Sequence, residues 1–532
     1  MPAIREEPGA RSVLGHAAGR LMRESALTSA VMRFSLLHGL QRPCRRIAWA
    51  FVAALPMLAA AASPPAPGLQ PCTLRGVEHP AWCGQVQRPL DPAVAGGPSI
   101  AVHFAVLPAL SRQRKPDPVF FIAGGPGQSA IELAGPIGHW LARFSNRRDI
   151  VLVDQRGTGR SAPLRCEGDG QPQRELRDSV DPAALVQALA RCRQALQTLP
   201  HGDLRRYTTP LAMQDLDAVR RALGAERIDL VGASYGTRAA LDYLRQFPQA
   251  VRRVVLDGVA PPDMALPDSM ALDGLAAFDA LLAWCEADAD CRGRHPQLRA
   301  QWQRLLAVLP QEVSVAHPLS GREQRLRVTP EGLAGLVRGP LYAPALAAAL
   351  PPAIEEAAAG RWTPLVGLAA ALSGGRGAAL AQGMHFSVIC AEDLPPPASA
   401  APAASAPPAF GAGLAALYRE VCADWPRGAL PADFHRLRPA PVPVLLLSGA
   451  LDPVTPPRHG ERVAAALGPK ARHWVVPNAG HGLLGLDCLR EQVFRFVDAD
   501  DEAEALALDG RCAQALPRPP VFRPPAAAGV AP

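Results

Sequence analysis

Ser234 stands in Gly232-Ala-Ser-Tyr-Gly236, a Gly-x-Ser-x-Gly spacing in which small residues on either side let a strand and a helix close on a tight turn. A serine hydroxyl is a weak nucleophile at neutral pH and needs a base, which needs an acid to orient it. Downstream and in that chain order come Asp452, in Leu445-Leu-Leu-Ser-Gly-Ala-Leu-Asp452-Pro, and His481, in Asn478-Ala-Gly-His481-Gly. The chemistry this set supports is acyl transfer, with Ser234 as nucleophile, His481 as proton shuttle and Asp452 as orienting acid. Asp257, directly after Val254-Val-Leu256, is the rival acid; its other reading is a structural cap on the loop leading into the lid. Acyl transfer also requires donors for the developing oxyanion. The backbone N–H of Tyr235 is one, and Gly125 in Gly124-Gly-Pro-Gly127 is the expected second, since glycine lets a backbone approach closely. The turn Asp154-Gln-Arg-Gly-Thr-Gly-Arg-Ser161 lacks the Gly-Lys-Ser/Thr ending of a phosphate loop and reads as structural.

The elements that must hold these residues alternate short apolar strands with helical patterns. Val119–Ile122, Ile150–Val153, Ile228–Val231, Val254–Leu256, Val442–Leu447 and His473–Val476 read as strands. Thr209-Pro210 reads as a helix start, Thr209 as N-cap and Pro210 at the first helical position, before apolar spacing through Met213, Leu216, Val219 and Leu223. Each site residue follows a strand, where open parallel sheets deliver their ligands. The expected fold is therefore of the α/β-hydrolase type: a mostly parallel central sheet flanked by helices. With 532 residues the chain exceeds one compact core. Ala/Leu-rich helical patterns over 261–440 predict an inserted helical lid, carrying a Pro/Ala-rich loop at 394–408 and dividing a core expected over 63–260 and 441–532.

Residues 1–62 read as an export segment. Arg42, Arg45 and Arg46 precede the apolar run from Ile47 to Ala62, then Ser63-Pro-Pro, and a start at Met32 gives ordinary signal proportions. The run is short for a bilayer span and Pro56 interrupts it, so no stable membrane span is expected after cleavage. The net charge is +7, but eight arginines and three glutamates within the first 62 residues account for +5 of it. A nucleic-acid footprint is therefore not supported. Cys44 lies in the export segment, which leaves ten cysteines. An even number suits an oxidising compartment, and their sequence-local pairs predict nearest-neighbour disulfides: Cys72–Cys83, Cys166–Cys192, Cys285–Cys291, Cys390–Cys422 and Cys488–Cys512. A periplasmic or secreted protein is expected. Neither a Cys-x-x-Cys nor a histidine cluster at ligand spacing occurs, so neither metal nor cofactor is called for, and nothing sets the oligomeric state.

Taken together, Gly124-Gly-Pro-Gly-Gln-Ser129, Asp154–Ser161, Asp215–Gly224, Gly232-Ala-Ser-Tyr-Gly-Thr-Arg238, Leu256–Pro261, Gly449–Pro456 and Gly480-His481 resemble the secreted α/β-hydrolase aminopeptidases, which include tripeptidyl aminopeptidases and proline iminopeptidases. The resemblance implies a triad of Ser234, Asp452 and His481, and peptide substrates with a free N-terminus. It also implies that the ammonium is held by lid carboxylates: Ser387–Asp393 resembles a Cys-x-Glu-Asp lid segment of the family, which points to Glu392 with Asp393. Cys285 and Cys291 resemble a cysteine pair of that lid. Ala123 stands where proline iminopeptidases usually carry histidine. The alternatives are an esterase or amide hydrolase acting on a small non-peptide acyl compound, and a catalytically silent binding protein on the same scaffold.

Overall fold

The computed structural model describes residues 66–169, 181–318, 320–373, 379–394 and 413–523. The expected export segment with Met32 lies outside these residues, as does the Pro/Ala-rich loop from residue 395 onward. Among the described residues no helix is long and apolar enough to cross a membrane.

The strands are β1 (Gln70–Cys72), β2 (Ala81–Pro89), β3 (Ser99–Leu107), β4 (Val119–Ile122), β5 (Ile150–Val153), β6 (Ile228–Ala233), β7 (Val251–Asp257), β8 (Gln311–Ala316), β9 (Glu323–Val328), β10 (Val444–Gly449) and β11 (Ala471–Val476). Nine form one sheet in the order β1-β2-β3-β5-β4-β6-β7-β10-β11. The pairings from β1 to β5 are antiparallel, and all those from β5 to β11 are parallel. Every residue of β4 and β5 is buried, the pattern of strands covered on both faces. The pleat sends Phe120 and Ile122 into one core with Leu230 and Val254, while Val119 and Phe121 enter another with Val231 and Leu447 on the opposite face.

The segment between β7 and β10 holds helices from Leu266–Ala287 to Gly413–Ala423. Much of it packs around a core of its own that includes Phe278, Trp302, Leu336 and Ile354, with the Phe278 and Trp302 rings 4.6 Å apart. Two features depart from an all-helical insertion. β8 and β9 form an antiparallel hairpin, and their alternating burial explains it: Val313, Val315, Leu326 and Val328 are buried, while charged neighbours face water. In addition, the helices Gln382–Glu392 and Gly413–Ala423 bury Met384, Phe386, Tyr418 and Val421 in the core of the sheet, not in that of the insertion.

The helix after β5 that leads into β6 spans Thr209–Ala222, with Thr208 in the cap position. Thr209, expected as the N-cap, is instead the first helical residue, and its N–H and hydroxyl are taken by Glu392.

The five disulfides join the nearest-neighbour pairs expected from the sequence. Cys390 and Cys422 are 32 residues apart and Cys285 and Cys291 only 6. A cross-link removes more freedom from the unfolded chain when it closes a longer loop, so losing the first bond costs about 4 kcal/mol and losing the second about 2 kcal/mol. Denaturant unfolding of the Cys390→Ser/Cys422→Ser and Cys285→Ser/Cys291→Ser double variants checks that ranking.

Candidate active site

Ser234 joins β6 to the helix Tyr235–Gln246 with φ 56° and ψ −124°. Such a positive φ is costly for a residue with a side chain, on the order of 1–3 kcal/mol, and persists only where the surroundings enforce it. They do so through close backbone approach. A Cβ on Gly232 would sit 2.3 Å from the Gly236 carbonyl oxygen, and one on Gly236 would sit 2.1 Å from that of Ile122. The Ser234 N–H donates to the carbonyl of Asp257 at 2.8 Å, and the Ser234 carbonyl accepts from the Thr237 hydroxyl at 2.6 Å.

The acid and the histidine come from the ends of neighbouring strands. Asp452 follows β10 and His481 follows β11, and the Asp452 carboxylate meets the His481 ring at Nδ1, 2.8 Å away. Asp452 is buried and its other contacts are all donors: the N–H groups of Val454 and Thr455 at 2.8 and 2.9 Å, and the Thr455 hydroxyl at 2.7 Å. Burial alone would raise its pKa, but the His481 charge and these hydrogen bonds outweigh that and hold it below 3.8. For His481 burial pulls downward, and the Asp452 charge and hydrogen bond prevail, so the ring is held above 6.5. Thr455 also lies 3.2 Å from His481 Nδ1, and Tyr342 of the insertion accepts the His481 N–H at 2.9 Å while its ring meets the imidazole edge-on. Sequence reasoning passed over both: the signal for Thr455 was its place three residues after Asp452 in the same turn, and Tyr342 left none.

Asp257, the rival acid, does another job. Its buried carboxylate accepts N–H bonds from Leu483, to both oxygens at 2.8 and 2.9 Å, and from Leu484 at 3.0 Å, so it fixes the loop that carries His481. Burial raises its pKa despite those bonds. The cap expected for Asp257 is thus a cap on the histidine loop and not on the loop entering the insertion.

Gly124-Gly-Pro-Gly127 lies against the serine: a Cβ on Gly124 would be 3.1 Å from Ser234 Cβ. Gly125 and Gly127 have φ of +107° and +110°, which glycine adopts freely. Tyr235 opens its helix, so its N–H lacks an intrahelical acceptor. The adjoining turn is pinned by Asp154, which accepts from the Ser129 hydroxyl at 2.6 Å and the Ile131 N–H at 3.1 Å, and by Arg156, whose buried guanidinium pairs with Asp215 at 2.7 Å.

Glu392 and Asp393 are both buried and both already engaged. Glu392 accepts from the Thr209 N–H at 2.6 Å and its hydroxyl at 2.8 Å, and lies 3.6 Å from Arg238. Asp393 pairs with the same guanidinium and accepts from the Leu266 N–H at 3.2 Å. Burial, opposed by Arg238, lifts the Glu392 pKa to about 7. Among the described residues no group of histidine, cysteine and carboxylate side chains could hold a metal ion.

A folded-state pKa of His481 raised above 6.5 stabilises the fold fully below 6.5, and the contribution is lost as pH rises through the folded value. An NMR titration of the imidazole is expected to give a midpoint above 6.5 in the native protein. In Asp452→Asn, where burial is no longer opposed by that carboxylate, the midpoint moves down.

The family described as alpha/beta hydrolase fold matches residues 117–486. A tripeptidyl aminopeptidase of Streptomyces lividans is 31% identical over 201 residues, 34% of this chain and 36% of that protein. A serine protease of Mycobacterium tuberculosis is 29% identical over 308 residues, 54% of this chain and 58% of its own length. A carboxylesterase B of Mycobacterium tuberculosis is 26% identical over 370 residues, 60% of this chain and 68% of that one. The chain thus spans between a third and two thirds of the first two relatives. A nine-stranded, mostly parallel sheet, a strained serine between β6 and its helix, and a family match across more than half of its length show that the chain belongs to the α/β-hydrolase fold family.

Proposed function

We propose that the chain is an exported serine exopeptidase that releases short units from the free N-terminus of peptides through an acyl-enzyme. The observation that carries the mechanism is the 2.8 Å Asp452–His481 hydrogen bond beside the strained Ser234 turn. Asp452 fixes His481 with Nδ1 protonated, which leaves Nε2 as the base. His481 takes the Ser234 proton as the oxygen attacks the acyl carbon. The N–H groups of Gly125 and Tyr235 receive the oxyanion. His481 then returns the proton to the leaving amine, and water attacks the acyl-Ser234 ester by the same route in reverse.

The peptide half of the reading is supported by the similarity to a tripeptidyl aminopeptidase and a serine protease. The acidic cluster is compatible with it: Glu392 and Asp393 face one guanidinium, so the cluster carries one negative charge more than Arg238 balances when both are ionised. A second reading, an esterase or amide hydrolase for a small acyl compound, is favoured by the same geometry, since both carboxylates already have partners. Export to the periplasm or medium fits five disulfides, which persist in oxidising compartments. The lid role of the insertion rests on Tyr342 reaching His481.

A fluorophosphonate probe is expected to label the native protein and not Ser234→Ala, whose kcat falls by about 10⁴-fold or more. Native protein that is active yet unlabelled overturns the mechanism. Comparing free-amine with N-acetylated peptide substrates decides between the two substrate classes. Loss of turnover on acetylation supports the exopeptidase, and indifference to it supports the esterase.

A further inference from the structure

The helix Gln382–Glu392 makes contacts at both ends that the proposed chemistry does not use. At its start, the Ala381 N–H donates to the Gly127 carbonyl at 3.0 Å. One turn on, the His385 ring reaches the Pro126 carbonyl through Nδ1 at 3.1 Å and the Tyr418 hydroxyl through Nε2 at 2.9 Å. A carbonyl can only accept, so Nδ1 carries the proton, and Nε2 accepts from Tyr418. His385 is buried, with the Phe386 and Tyr418 rings edge-on to it, and burial lowers its pKa to about 4, which keeps it neutral and in that tautomer. Leu380 lies so close to Gly125 that a Cβ there would come within 2.9 Å of its side chain. The start of the helix therefore grips the loop of the first oxyanion donor.

Its end grips the second. Thr209 donates its hydroxyl proton to Glu392 at 2.8 Å, and so accepts from the Tyr235 hydroxyl at 2.7 Å. Asp393 pairs with Arg238, one turn into the helix that Tyr235 opens. Between the two grips lie 11 helical residues, about 16 Å of rigid backbone. The Cys390–Cys422 disulfide ties this strut to the helix that supplies Tyr418.

We propose that the helix Gln382–Glu392 is a brace that sets the spacing of the two oxyanion donors, and that His385 is the positioning residue at its loop end. The proposal rests on the reading of Gly125 and Tyr235 as those donors. His385 touches no reacting atom; it acts through the Pro126 carbonyl, one residue from the Gly125 N–H.

The test measures hydrolysis of a short p-nitrophenyl ester by the full chain, and inhibition by a trifluoromethyl ketone, whose tetrahedral adduct places an oxyanion in the hole. In His385→Leu a shifted donor lowers kcat by about ten- to a hundredfold, less than outright loss of a donor, while KM stays within about twofold. The ketone loses affinity by the same factor as kcat/KM. His385→Gln, which restores an N–H toward Pro126, recovers most of both. Tyr418→Phe, which frees Nε2 from its donor, gives a smaller loss of the same kind. If His385→Leu does not fold, the Gln and Phe variants carry the comparison. A folded variant with unchanged kcat, or a kcat loss without a parallel loss of ketone affinity, overturns the brace. Failure of the underlying reading is distinguishable: there the native protein forms no ketone adduct, or Ser234→Ala keeps its activity.

Discussion

Asp257 joins the two halves of the site through two different groups. Its carbonyl receives the N–H of Ser234 and its carboxylate receives the N–H groups of Leu483 and Leu484, just after His481. One residue at the end of β7 thus sets both the serine turn and the histidine loop, and a displacement of one is felt by the other. The arrangement is possible because β7 lies between β6, which delivers the serine, and β10, which delivers the acid. Gly258 completes the joint: a Cβ there would stand 3.1 Å from His481 Cε1, so the imidazole packs directly on the backbone that follows Asp257.

Electrostatics in the site follow from burial acting on opposite charge types. Burial pushes carboxylates up and imidazoles down, and each group ends where its partners leave it. Asp452 has three donors and an imidazole and stays ionised; at Asp257 the backbone N–H bonds and the His481 charge do not offset burial and the nearby Asp452 carboxylate, and it is held higher. His481 and His385 form the matching contrast among the bases. One faces a carboxylate and is lifted; the other faces a carbonyl and a hydroxyl and is lowered. Half-buried His481 and buried His385 thereby end in opposite states, the first favouring a charged ring and the second a fixed neutral tautomer.

What was legible in the sequence was whatever is local. Continuous apolar runs marked the sheet strands, glycines two before and two after Ser234 marked the turn, and cysteines close in sequence marked the disulfides. The β8–β9 hairpin was also local, but its two alternating six-residue stretches sit among Ala/Leu-rich helices and are short beside them. The partners of Glu392 could not be read at all. Thr209 lies 183 residues away, and a threonine before a proline looks the same whether it caps its own helix or serves a distant carboxylate. Tyr342 and His385 are likewise single residues without a spacing pattern, and only the packing of the insertion onto the sheet brings them to the site.

The Cys390–Cys422 bond brackets the Pro/Ala-rich stretch, closing a loop of sequence between two helices that are part of the core of the sheet. Its ends are fixed by a covalent link, so lengthening the loop is cheap: each doubling costs only about 0.6 kcal/mol in closure entropy. For the same reason a single proteolytic cut within the bracketed stretch leaves one covalent molecule, which separates into two fragments only when the bond is reduced and the chain unfolds.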